Sequence, residues 1–168
     1  MKNILLQLTF LIICNFCIAQ KPPSPCSMPE ASQFDFWVGE WDAIYSDTLK
    51  PGLNKITKPY NNCVIEENFY DPNTNFHGMS VSGYNAQKKQ WQQTWVDSQG
   101  AYIALTGEFK DGKMQLNSER TQPDGKKILL RMLYYNISKD SFDWSWDSSV
   151  DGGMTWVVNW KIHYKRRG

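Results

Sequence analysis

What most limits the fold of this chain is the rhythm of its turn signals. Beyond residue 38, every stretch of alternating apolar and polar residues is soon cut by a cluster of Gly, Pro, Asn, Asp or Ser. These clusters are DPNTN (71–75), NAQKKQ (85–90), DSQG (97–100), KDGK (110–113), PDGK (123–126), SKDS (138–141) and DGGM (151–154). Such composition favours tight reversals, and period-two alternation between reversals is the pattern of strands. The spacing predicts strands over 39–46, 53–58, 62–70, 76–85, 90–98, 101–109, 113–121, 126–136, 141–148 and 155–165. No window beyond the N-terminal leader keeps a 3.6-residue apolar period. A short helical turn is expected in PEASQFDFW (29–37), where Pro29 and Glu30 suit a first turn. Hairpin-short connections throughout predict an all-β fold, a single antiparallel meander barrel of about ten strands.

The first residues do not belong to that barrel. MKN followed by the apolar run ILLQLTFLIICNFCIA reads as a secretory signal peptide over 1–19, cleaved after Ala19. Gln7, Thr9 and Asn15 break the run, which argues against a membrane anchor. Ile13 before Cys14 and Phe16 before Cys17 argue against a lipoprotein. An extended leader over 20–32, with the PPII-prone KPPSP, then precedes a barrel domain over 33–168. The expected location is periplasmic or secreted, without integral membrane association after cleavage.

Cleavage resolves two ambiguities of composition. The chain carries 18 Lys and Arg against 17 Asp and Glu, and Lys2 leaves with the leader, so the signs balance. A neutral surface gives no reason to expect nucleic acid as a partner. Cys14 and Cys17 also leave, so their CxxC spacing is neither a redox nor a zinc motif. Cys26 and Cys63 remain as an even pair in an oxidising compartment, which predicts a disulfide.

Alternation assigns the interior. Phe142, Trp144 and Trp146 share one face of SFDWSWDSS; Trp156, Val158, Trp160, Ile162 and Tyr164 share one face of TWVVNWKIHYK; Trp91, Gln93, Trp95 and Asp97 align in QWQQTWVD. Eight tryptophans are a large aromatic supply for a barrel this size. They either fill the lumen or wall a cavity within it.

SSVDGGMTW (148–156) fits the Asp-box pattern of secreted sugar-cleaving enzymes through Ser149, Asp151, Gly153, Thr155 and Trp156. A propeller of that kind needs at least four four-stranded blades and repeated motifs, whereas this chain has about ten strands and one copy. The stretch is therefore expected to be structural. Ser149 and Asp151 would accept backbone N–H bonds, Gly152 and Gly153 would take positive φ, and Trp156 would start the returning strand.

Other chemistry is sparse. There is no G-x-S-x-G serine frame, and His77 and His163 stand in no ligand-spaced motif, so neither metal nor cofactor is expected. His163 falls out of phase with Trp160, Ile162 and Tyr164, which makes it a solvated residue and no haem ligand. His77 shares parity with Met79 and Val81 and is a pocket candidate. Glu66 and Glu67 point to opposite faces. Glu67, in phase with Ile65 and Phe69, places a carboxylate on an apolar face, where Arg120 or Arg131 could partner it. Asn136-Ile137-Ser138 is a glycosylation sequon.

QFDFWVGEWD (33–42), CVIEENF (63–69), QTWVDSQG (93–100) and SSVDGGMTW (148–156) together resemble the secreted bacterial domain-of-unknown-function family 1579. The resemblance spans essentially the whole mature chain. It implies a calycin-like barrel and, by analogy with lipocalins, a cavity for a small ligand; it assigns no catalytic residue. The family's usual tryptophan after the paired glutamates is Phe69 here, so the pocket shape is expected to differ. The expected function is binding of a small apolar or aromatic ligand by Trp41, Glu67, His77, Trp91, Gln93, Trp95, Trp144, Trp146 and Trp160. The alternatives are an enzyme using Glu67, Asp97 or His77 as acid and base, and a filled barrel serving as a structural or interaction module.

Overall fold

The computed structural model describes residues 26–168; the expected signal peptide and the start of the leader lie outside the described residues. Ten antiparallel strands close into a barrel in which each strand pairs with its sequence neighbours and the last returns to the first. They are β1 (Gly39–Ile44), β2 (Gly52–Thr57), β3 (Val64–Asp71), β4 (Phe76–Asn85), β5 (Gln90–Asp97), β6 (Tyr102–Lys110), β7 (Lys113–Thr121), β8 (Lys127–Tyr135), β9 (Ser141–Ser149) and β10 (Val157–Arg166). The meander follows from the short polar turns, which leave no length for a crossover.

The segment before β1 is a plug. Pro29–Ser32, at the end of the expected leader, and Asp35–Trp37 form two 3-10 turns. They drive Phe34 and Trp37 into one end of the barrel, where both are fully buried. Phe34 meets Trp91 edge-on at 5.0 Å and Tyr134 at 5.2 Å between ring centres, and Trp41 donates its indole N–H to the Trp37 carbonyl at 2.7 Å. Polar ties hold the plug from three sides. Lys58 donates to the Ala31 carbonyl at 3.1 Å and pairs with Asp35. Arg166 lies over the Trp41 ring at 4.0 Å and donates to the carbonyls of Val38 and Phe36. A disulfide joins Cys26 to Cys63, with the two Cα atoms 5.3 Å apart. Between β2 and β3, Tyr60, Asn61 and Asn62 all adopt positive φ, a left-handed turn that brings Cys63 back to the plug.

Two alternation patterns differ from those expected. On β10 the register to β9 shifts between Val158 and Trp160, leaving Asn159 as an extra residue. Such a bulge inverts the facing of everything before it. Trp160, Ile162 and Tyr164 thus face the lumen as expected, while Trp156 and Val158 turn outward. On β4 the middle of the inward face is small, Gly78, Ser80 and Ser82 between Phe76 and Tyr84, and His77, Met79 and Val81 are exposed. Space explains the inversion at Gly78: a Cβ there would lie 2.1 Å from the Trp95 ring. The indole already occupies the room a side chain would need.

The barrel wall is also incompletely zipped. β6 and β7 pair from Thr106 to Lys110 against Lys113 to Asn117, and no pairing joins Tyr102–Leu105 to Ser118–Thr121. A groove of about 900 Å³ opens along this split, floored by Ile103, Ile128, Leu130 and Trp146.

Candidate functional site

Between the plug and the opposite, open end lies a cavity of about 180 Å³. Its wall is aromatic. Phe69, Phe76, Trp95, Trp144, Trp146 and Trp160 line it, with Ile103, Met132 and Ile162 between them. The rings brace one another edge to face: Trp144 and Trp160 are 5.5 Å apart at 87°, and Phe69 and Trp160 are 6.0 Å apart at 88°. This geometry suits aromatic quadrupoles. Ile103 and Trp146 belong both to this cavity and to the groove along the β6–β7 split.

One carboxyl group stands in this apolar surface. Glu67 is 6% exposed and lines the cavity with Tyr134 and Tyr164. Asn54 donates to one of its oxygens at 2.8 Å and Ser80 to the other at 2.6 Å. Burial pushes its pKa up to about 7, against the opposing pull of those two bonds. The expected arginine partner is not there: Arg131 lies on the outer face, donates to Asp147 at 2.8 Å and covers Trp156 at 4.0 Å. Arg120 is exposed at the rim of the split. Behind Glu67 the polar chain continues inward, with Gln93 donating to Ser80 at 3.2 Å and to Ser82 at 3.0 Å. Two acceptors in this chain, Asn54 Oδ1 and Gln93 Oε1, are buried without a hydrogen-bond partner.

Asp97 also lines the cavity, near its mouth. Burial raises its pKa, but hydrogen bonds from Trp95 Nε1 at 3.0 Å and from the Ala101 and Gln99 amides outweigh it and hold the carboxyl below the usual range. Asp97 thereby fixes the edge of the Trp95 indole over Gly78.

The nine residues expected to bind a ligand thus divide four ways. Glu67, Trp95, Trp144, Trp146 and Trp160 converge on the cavity, whereas Gln93 lies behind it in the polar chain. Trp41 and Trp91 are spent on the plug, where Trp91 donates to Gln33 at 3.1 Å. His77 lies outside, stacked on Tyr70 at 4.6 Å between ring centres. That removes it as an acid or base toward the lumen. His163 is on the outer face with Asp143 at 2.9 Å. Asn54, Ser80 and Tyr134 belong to the site and were not singled out from the sequence. Their one signal is strand parity, Asn54 with Ile56, Ser80 with Ser82, and Tyr134 with Met132.

The SSVDGGMTW hairpin is remote from this chemistry and self-contained. Ser149 Oγ donates to Asp151 at 2.7 Å and accepts the Gly153 amide at 2.9 Å. Asp151 accepts the Thr155 hydroxyl at 2.5 Å and the Thr155 amide at 2.9 Å; these bonds lower its pKa to about 2. Gly152 and Gly153 take φ of 74° and 92°, and Trp156 donates back to the Gly153 carbonyl at 3.0 Å. Ser149, Asp151, Thr155 and Trp156 bond within the turn, while Ser148 donates to Asn159 at 3.2 Å.

No curated protein matches the chain. A family model does, over residues 29–166, which is the plug and the whole barrel. By that match the chain belongs to the family described as protein of unknown function (DUF1579).

Proposed function

We propose that the mature protein acts outside the cytoplasm and binds a small, largely apolar guest of about one aromatic ring in the barrel cavity. The observation that carries this reading is the buried carboxyl of Glu67, with Asp97 nearer the mouth, set in a wall of six aromatic rings around an unfilled volume of about 180 Å³. An apolar cavity of about 150 Å³ accepts benzene, so the space suits one ring and no large lipid. Ligand sites are mostly apolar with a few directed polar groups, and Glu67, Tyr134 and Tyr164 are such groups. The apolar leader over 1–19 and the Cys26–Cys63 disulfide support an extracytoplasmic location.

A second reading, acid–base catalysis, draws on one specific observation: two carboxyls lining one cavity have their pKa values moved in opposite directions, Glu67 up and Asp97 down. Against it, Asp97 already accepts three hydrogen bonds, which stabilise its ionised form and make it a weaker base.

Titration with nitrobenzene, which fits the cavity and quenches indole emission, should quench saturably near one molecule per chain. Quenching that rises linearly without saturation would overturn the binding reading. Native mass spectrometry of protein taken from its own host should find a retained small molecule. Its conversion on standing would favour catalysis.

A further inference from the structure

We infer that the guest carries a protonated amine, which the carboxylate of Glu67 pairs with at the inner end of the cavity while the ring faces of the tryptophans surround the remainder. The inference rests on the binding reading above and narrows it to a class of ligand: small primary amines on an aromatic or compact apolar body.

The first support is a missing countercharge. A carboxyl buried in an apolar wall is costly unless a cation or a full set of donors answers it. Glu67 has two neutral donors, Asn54 and Ser80, both of which stabilise its ionised form. Among the described residues, no lysine, arginine or histidine lines the cavity. The basic residues that the fold could have supplied are committed elsewhere. Arg131 is bonded to Asp147 on the outer face, Arg166 clamps the plug, and Lys58 pairs with Asp35. The charge that Glu67 is built to meet is therefore not the protein's own.

The second support is the sign of the surrounding polarity. The donors on Asn54 and Gln93 are spent inside the chain of hydrogen bonds, and the buried atoms left without partners, Asn54 Oδ1 and Gln93 Oε1, are both acceptors. Neither residue lines the cavity; the polar groups that do stand beside Glu67 are the Tyr134 and Tyr164 hydroxyls. Their oxygens can accept from an ammonium, which has three N–H donors and no acceptor. The third support is the wall. Trp95, Trp144, Trp146 and Trp160 line the same cavity, and indole faces attract cations, more strongly where water is excluded.

The titratable groups facing Glu67 are Tyr134 from β8 and Tyr164 from β10, with Asp97 from β5 nearer the mouth. Burial, and after it the charge of Glu67, raises the pKa of both tyrosines, so they stay neutral at any pH of interest, and Asp97 stays ionised. Glu67 is then the one group in the cavity that changes charge near neutrality, where its pKa is about 7. An incoming ammonium favours the ionised form, so binding near pH 7 expels a proton from Glu67.

Three probes of one shape decide the matter: benzylamine, benzyl alcohol and toluene, measured by calorimetry on the full mature protein. At pH 8 benzylamine should bind at least about tenfold more tightly than either neutral probe, the margin of a charge-assisted bond. Its affinity should fall toward roughly tenfold per pH unit below about 7, while those of toluene and benzyl alcohol do not. Calorimetry at pH 7 in buffers of different ionisation enthalpy should register proton release with benzylamine alone. Glu67→Gln keeps the shape and the bond from Asn54, with the Ser80 hydroxyl turned to accept from the new amide, and should lose the amine preference while retaining toluene. The pH profile of the unaltered protein decides the question even if that variant does not fold. Equal binding of the three probes, or tighter binding of benzyl alcohol at pH 8, overturns the amine and leaves the apolar site standing. Failure of all three overturns both.

Discussion

Ser80 donates its hydroxyl to Glu67 at 2.6 Å from the position directly opposite it on the β3–β4 ladder. With Asn54 it favours the ionised carboxylate, yet burial outweighs both and leaves the pKa at about 7, above the ordinary 4.5. The folded state therefore holds this proton more firmly than the unfolded chain does. Below about 4.5 the group is protonated in both states and its contribution to stability is complete. Between about 4.5 and 7 only the unfolded chain ionises, so stability falls by up to about 3 kcal/mol and then levels off. Urea midpoints from pH 4 to 8 should show this decline, and Glu67→Gln should flatten it.

The nearness of Gly78 to Trp95 separates binding from folding. A Cβ at Gly78 would overlap the indole, so Gly78→Ala should displace Trp95 into the void and weaken guest binding at least tenfold. Trp95→Ala should likewise affect nitrobenzene quenching more than the melting temperature. Trp91→Ala, in the plug, should do the reverse and cost about 3–5 kcal/mol. Equal effects of Trp91 and Trp95 on stability would return Trp95 to the core.

Reduction of the Cys26–Cys63 bridge should destabilise the protein by about 4 kcal/mol in the chain-entropy view, since it closes a loop with a sequence separation of 37. Free-thiol titration of the denatured, unreduced protein should find no reactive thiol at these two positions. Denaturation midpoints with and without reductant give the magnitude.

The SSVDGGMTW hairpin should tolerate loss of its motif without loss of the site. Asp151→Ala removes both bonds to Thr155 and should cost about 1–2 kcal/mol. Affinity for benzylamine and toluene should remain within a factor of two or so of the original, because no group of the turn lines the cavity. Amide exchange should speed up around Thr155 and Trp156 first.

The barrel was legible in the sequence because turn chemistry and alternation are local. KDGK and PDGK fix hairpins with no help from the rest of the chain, and all ten strands fall close to the positions their spacing implies. The site was half legible. Trp144, Trp146 and Trp160 announce their inward facing by parity with Phe142 and Ile162. His77 misled because apolar Met79 and Val81 share its parity, although the inward face of β4 had to be small to admit Trp95 and to leave room for Glu67 and Gln93 from neighbouring strands. Trp156 misled because one extra residue at Asn159 reverses parity, and no composition signal marks it. Trp41 and Trp91 carry the right pattern for a wall, but a plug folded from residues before β1 covers them. What local pattern cannot convey is which interior space is already taken by a side chain from elsewhere.

The unzipped stretch between β6 and β7 leaves backbone edges of the kind that invite pairing with another chain. Closing a sheet removes its sticky edges, and here two short ones survive, along Tyr102–Leu105 and Ser118–Thr121. Each is four residues long, too short to recruit a partner strand cheaply. Glu119 and Arg120 stand exposed along one edge, and Lys127 pairs with Glu119 at 2.8 Å. Charge at that position penalises the stacking of a second chain while leaving the gap itself intact. The charge that guards these edges is thus concentrated at one seam.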